Sequence, residues 1–303
     1  MRIAIIDLGT NTFNLLVAEK ADGRLLTLHC SETPVFLGKG GIEKGMIAPD
    51  AAERGMSALR EHIATAKAHG AERILAFGTS ALRNARNAPD FLRRAKKQLD
   101  LAITVIPGEE DAALILDGVR QAVTFGKQPM LVMDIGGGSI EFILATDKAL
   151  MWKRSFEIGV TRLRERFSPA DPITVAEEAR IAEHLDDQLA PLWNLLDAHE
   201  PAALVGSSGS FDSLARIISG QRGSKLPDDA TTLEFTALEF HELKDRIMVM
   251  SREERMRVPG LPAHRVDTIA LALIVIERML ACGIERIIWS RYALKEGAAI
   301  RAL

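Results

Sequence analysis

Two short turns hold the residue types best suited to chemistry. In one, Asp7 is followed by Gly9, Thr10, Asn11 and Thr12; in the other, Asp134 is followed by Gly136, Gly137, Gly138 and Ser139. Glycines let a backbone approach an anion closely, and small hydroxyl residues add donors, so the combination suits a phosphate group. Asp7 and Asp134 would repel a bare phosphate, which points to Mg²⁺ or ordered water between carboxylate and anion. The competing reading is that each aspartate only caps its own turn. Three more stretches offer compatible groups. Gly78-Thr79-Ser80-Ala81-Leu82-Arg83 ends in a guanidinium able to grip phosphate in a bidentate manner, unless it is simply solvated. Val205-Gly206-Ser207-Ser208-Gly209-Ser210 presents N–H groups and hydroxyls, although serine there also serves as a plain helix cap. Pro107-Gly108-Glu109-Glu110-Asp111-Ala112 sets three carboxylates at a helix start. The helix dipole alone would account for them, whereas a carboxylate facing a phosphate would suit a general base that activates water.

These pieces need a scaffold, and the sequence repeats one. Residues 3–18 lie without a gap over residues 130–145 at an offset of 127, each an apolar strand, an Asp-x-Gly turn and a second strand. A third strand-like run follows each copy, at 24–30 and 149–156. Beyond the first copy, the spacing predicts a helix over 49–70, a strand at 74–77, a helix at 90–99, a strand at 103–106 and a helix at 109–123. Beyond the second it predicts a long helix over 174–199, a strand at 203–205 and a helix at 211–218. Helices at 233–256 and 264–281, a strand at 284–289 and a helix from 293 complete the chain. Residues 220–229 are turn-rich and read as a mobile loop. Alternating strands and helices imply α/β layers with largely parallel pairing. Domains of 1–126 and 127–303 are expected to meet at the polar stretch 126–129, with the helix 293–303 packing back on the first. Ligands in such sheets collect at the carboxyl ends of strands, so paired phosphate turns imply an interdomain cleft.

Composition removes several classes. The 303 residues carry 38 Lys and Arg against 41 Asp and Glu, a net charge of −3, which excludes a polybasic nucleic-acid arm or an acidic disordered tail as the main feature. The longest apolar run, 269–276, is far short of the roughly 20 residues that span a bilayer. The start at Met1-Arg2-Ile3 runs directly into a strand, so no signal peptide and a cytoplasmic location are expected. Cys30 and Cys282 lack C-x-x-C spacing and read as buried free thiols; no histidine spacing suggests a metal site, so the histidines read as structural. No P-loop motif is present, and no Gly-x-Gly-x-x-Gly follows a strand, which argues against P-loop NTPases and Rossmann dehydrogenases.

Nearly end to end, the chain resembles the exopolyphosphatase and guanosine pentaphosphate phosphohydrolase family of the actin-like ATPase superfamily. The resemblance rests on Asp7-Leu-Gly-Thr-Asn11, Thr79-Ser-Ala-Leu-Arg83, Gly108-Glu-Glu-Asp-Ala112, Asp134-Ile-Gly-Gly-Gly-Ser139 with Glu141, Gly159-Val-Thr-Arg162-Leu, Gly206-Ser-Ser-Gly209, Arg265-Val-Asp267 and Lys295-Glu-Gly297, in that order. It implies two ribonuclease-H-like domains flanking a cleft, in the short form without C-terminal helical domains. It also implies phosphates on Gly9, Thr10, Asn11, Arg83, Gly136, Gly137, Gly138, Ser139, Ser208, Gly209 and Lys295. Mg²⁺ is expected near Asp7, Asp134 and Glu141, and a carboxylate is expected to activate water. Family members usually carry Glu where this chain has Asp111, and many carry Arg where it has Ala113. A carboxylate retracted by about 1.5 Å, one C–C bond, leaves three outcomes: a backbone adjustment, substitution by Glu110, or low activity. Arg162 and Arg166 are candidates for a polyanion groove, and 93–97 reads as an exposed basic helix face. The expected activity is Mg²⁺-dependent release of terminal phosphate from inorganic polyphosphate, with pppGpp hydrolysis second. Two alternatives are a non-catalytic polyphosphate or guanosine-phosphate sensor, for which Asp111 is the support, and a sugar or acetate kinase of the same superfamily. A homodimer is an option common among relatives.

Overall fold

The structure, a computed structural model, describes residues 1–21 and 23–303. The first half holds β1 (Arg2–Leu8), β2 (Thr12–Ala21), β3 (Arg24–Pro34), α1 (Pro49–Ala68), β4 (Arg73–Gly78), α2 (Ser80–Asn84), α3 (Ala88–Leu99), β5 (Ile103–Val105) and α4 (Gly108–Val119). The second half begins with β6 (Met130–Ile135), β7 (Ile140–Ala145), β8 (Leu150–Phe156), α5 (Val160–Phe167), α6 (Val175–Gln188), α7 (Ala190–His199), β9 (Leu204–Ser207) and α8 (Ser208–Gln221). It closes with β10 (Thr232–Thr236), α9 (Ala237–Met248), α10 (Arg252–Arg255), α11 (Ile269–Leu280), β11 (Arg286–Ser290) and α12 (Leu294–Ala302).

The repeat read in the sequence is a repeat of topology. One sheet runs β3-β2-β1-β4-β5 and the other β10-β11-β9-β6-β7-β8. In each, the repeated unit is an antiparallel meander, and the strand after it in the sheet, β4 or β9, lies parallel to the first strand. This gives two α/β lobes of the ribonuclease-H-like, actin-like ATPase kind. The register sets equivalent residues face to face: Asp7 pairs with Asn14 on β2, and Asp134 with Glu141 on β7. The helix predicted from 293 is α12, and it returns to the first lobe, packing along α4 and against β1 and β2. Its approach is close because Gly118 and Gly297 lack side chains; an added Cβ would overlap the Ala293 carbonyl in one case and the Leu114 carbonyl in the other. Apolar residues of β1, α4, β6 and α12 form one buried cluster between the sheets, with a separate cluster in each lobe outside it.

Three helical expectations are corrected. The helix over 174–199 breaks between α6 and α7 because Pro191, in the first turn of α7, has no N–H to continue the ladder. Residues 232–236 form the edge strand β10, paired antiparallel with β11, and α9 begins behind the Thr236/Glu239 capping box. Residues 263–265 make a 3₁₀ turn, so α11 starts only at Ile269. The apolar run that opens α11 is buried on all sides in the second lobe, and no described helix is long and apolar enough to cross a membrane. Both cysteines are exposed, against the expectation of burial: Cys30 sits on the outer strand β3 and Cys282 in the turn after α11.

Candidate phosphate-binding cleft

The two Asp-x-Gly turns close with the same bond: Gly9 N–H donates to the Thr12 carbonyl, and Gly136 N–H to the Ser139 carbonyl, both at 3.0 Å. Both line one cavity of about 760 Å³ between the lobes. The two turns touch. A Cβ on Gly138 would overlap the hydroxyls of Ser80 and Thr10, and one on Gly137 would meet the Asn11 amide. Asn11 in turn accepts a 2.7 Å hydrogen bond from Thr161 at the start of α5.

Buried carboxylates line this cavity. Asp7 is pushed up to about 7, first by burial and also by Asp134; the Asn14 amide at 3.2 Å and the Lys295 charge work in the opposite direction. Glu141 also rises to about 7, through burial and the Asp134 charge, against donors from Ser139 and Ser155, the latter at 2.7 Å. Asp134 is raised by burial despite accepting from Ser207 and Ser208 at 2.6 Å each. Asp111, held by the first turn of α4, is raised well above the ordinary range by burial and by Glu141 and Asp7, with Arg83 opposing. Burial works against the charge on Lys295, but Glu296 at 3.1 Å and Asp212 outweigh it and hold the ammonium protonated.

Among the predicted residues, Asp7, Gly9, Thr10, Asn11, Asp111, Asp134, Gly136, Gly137, Gly138, Ser139, Glu141, Ser208, Gly209 and Lys295 all line this cavity. Glu110 does not. One position earlier on α4, it is turned outward and paired with Arg301 of α12, so it is not placed to substitute for Asp111. Arg83 stands one layer behind the lining, donating to Asp111 at 3.4 Å and to Glu157 at 2.9 Å. Arg162 and Arg166 share α5 as expected but form no open groove, because their charges meet Glu157 and Glu43. The basic residues Arg93 and Lys96 of α3 are exposed.

Sequence reading missed Asp212 and Glu157. Asp212 lines the cavity and accepts from the Trp289 indole at 2.7 Å; its signal was its position one turn after Ser208. Glu157 follows β8 and had no motif to mark it. The lobes are also bridged on another flank, where Glu32 on β3 meets His264 and Arg265 at 2.7 Å each.

Asp7, Asp134, Glu141 and Asp111 supply only hard oxygen donors, the chemistry Mg²⁺ prefers. Among the described residues, no three metal-ligating side chains are grouped closely enough to enclose an ion. In donor chemistry alone, these carboxylates are compatible with Mg²⁺.

Residues 16–303 match the family described as the Ppx/GppA phosphatase family. The chain belongs to this family. A solved structure described as an exopolyphosphatase from Cytophaga hutchinsonii is 35% identical with a TM-score of 0.96 over 100% of this chain and 99% of its own. Exopolyphosphatase 1 of Mycobacterium tuberculosis is 30% identical, covering 100% of this chain and 88% of its own length. The Ppx/GppA enzyme of Aquifex aeolicus is 26% identical with a TM-score of 0.81, covering 99% of each chain.

Proposed function

We propose that this protein is an Mg²⁺-dependent exopolyphosphatase that releases terminal orthophosphate from inorganic polyphosphate by attack of water in the cleft. The observation carrying this reading is the buried Asp111 carboxylate, set in one cavity with the two glycine-rich turns. The backbone N–H groups and hydroxyls of the turns bind and orient the terminal phosphoryl group, and Lys295 balances its charge. Asp111 accepts the proton of the attacking water; its raised affinity for protons makes it a stronger base than an exposed aspartate once ionised. Arg83 holds that carboxylate in place. Asp7, Asp134 and Glu141 would hold Mg²⁺, which would supply charge neutralisation, a main requirement of phosphoryl transfer. Behind Ser80 and Asp111 the cavity lining gives way to the bridge from Ser80 and Arg83 to Glu157.

One observation favours pppGpp as a second substrate. The same cavity is also lined by Leu25, Leu26 and Tyr292 and by Asp228 and Asp229. Apolar walls with carboxylate acceptors suit a purine carrying N–H donors better than a bare polyanion. The test is orthophosphate release from long polyphosphate, short polyphosphate and pppGpp, each with Mg²⁺ and with EDTA. Mg²⁺-dependent release is expected, highest from polyphosphate. Preference for pppGpp would move the second reading to first, and tight binding without turnover would leave a sensor.

A further inference from the structure

Glu157 is an anion in a place built for one. Its carboxylate accepts from the Ser80 hydroxyl at 2.5 Å, from Arg83 Nε at 3.2 Å and Nη2 at 2.9 Å, and from Arg162 Nη2 at 3.1 Å. Two guanidinium groups and a hydroxyl, drawn from both lobes, converge on one pair of oxygens. Such a donor set matches a tetrahedral oxyanion at least as well as a carboxylate. It also adjoins the cradle: Ser80 is 1% exposed and lines the cavity, its hydroxyl stands against Gly138, and Arg162 Nε donates to the Gly138 carbonyl at 2.9 Å. Glu157 itself does not line the cavity, and its side chain is 37% exposed, so it has solvent to move into. Burial disfavours its charge, but the bonds from Ser80, Asn84 and Arg83 outweigh that and keep it ionised. Apart from Glu157, the carboxylates nearest the two guanidinium groups are Asp111, 3.4 Å from Arg83, and Glu43, 3.6 Å from Arg162, both farther than Glu157; their other acceptors include the carbonyls of Ile106, Ile42 and Gly138.

We infer that Ser80, Arg83 and Arg162 form an orthophosphate subsite next to the glycine cradle, and that Glu157 is its resident anion, exchanging with the phosphate released from the chain. Orthophosphate enters the subsite when Glu157 swings outward and leaves when it returns. The carboxylate thereby limits retention of product and holds the lobes together between turnovers. This rests on the phosphohydrolase reading only for the identity of the anion.

The test is calorimetric titration of the full chain with inorganic phosphate in EDTA, which needs no turnover. Glu157→Gln removes the competing charge and is expected to bind phosphate about tenfold more tightly, the scale of one charge-assisted contact. Product inhibition by phosphate is expected to strengthen in parallel, and adding Arg162→Met is expected to cancel the gain. Glu157→Ala gives the same reading should the amide variant not fold. Phosphate affinity that is unchanged or weaker in the folded variants overturns the subsite and leaves Glu157 a plain clamp. A chain that hydrolyses none of the substrates would defeat the hydrolase reading while leaving this titration interpretable.

Discussion

Asp111, a shorter carboxylate than the resemblance implies, has a side chain that reaches the cavity that Glu110 avoids. Replacing it with Asn keeps the shape and removes the base, so Asp111→Asn is expected to lower kcat by about 10²- to 10⁴-fold, the usual worth of general-base help. Glu110→Gln, which breaks only a half-exposed pair with Arg301, is expected to leave kcat within a factor of two to three and stability within about 1 kcal/mol. Steady-state kinetics of the two variants side by side separates the roles. The raised carboxyls also set a pH dependence. Asp7 and Glu141 titrate at about 7 in the folded protein against 3.8 and 4.5 ordinarily, so between these values the native state binds more protons than the unfolded one. Stability must then fall as pH rises through that window. Melting temperature in EDTA is expected to decline from pH 5 to pH 8, and Mg²⁺ to offset the decline at the upper end; a flat profile would count against this cluster. Most of these residues were legible because glycine, hydroxyl and aspartate at fixed offsets leave a local signature. Glu157 was not, since two of its three partners, Ser80 and Arg83, are more than seventy residues away in sequence.

Among the elements, the α4–α12 crossing matters most, because α4 carries Asp111 and α12 carries Lys295. Gly118→Ala and Gly297→Ala each drive a methyl group into the backbone of the other helix. Each is expected to cost about 1–3 kcal/mol and to reduce activity more than a surface change of equal stability cost, read from denaturant unfolding together with kcat. The repeated meander was visible beforehand because its buried strands, turns and 127-residue offset all lie in local sequence. The strand β10 was hidden by length. Its inward Leu233 and Phe235 alternate with outward Thr232, Glu234 and Thr236, but five residues of period two were absorbed into the longer helical pattern beginning at Ala237. The break at Pro191 was legible in principle and was overridden by the helical spacing on either side.

The whole molecule is two lobes joined by a shared apolar cluster and by polar bridges at the cleft rim. The flank built on Glu32 holds across the ordinary pH range: burial would raise this carboxyl, but the hydrogen bond to His264 and the Arg265 charge hold it at about 2. Its contribution is present above the unfolded value of 4.5 and lost only as pH falls towards 2. Glu32→Gln is expected to loosen the cleft, increasing the radius of gyration in solution scattering without substrate and raising KM several-fold with a smaller change in kcat. Unaltered scattering and KM would mean that the shared cluster alone fixes the lobe angle. The return of α12 to the first lobe also dictates an order of events on the ribosome. All of the second lobe is synthesised between α4 and the helix that covers it, so the apolar side of α4 around Leu114 and Gly118 stays uncovered while that lobe is made. Such a nascent first lobe is a natural client for chaperones that shield apolar surface, and α4 acquires its final seat only when α12 has emerged.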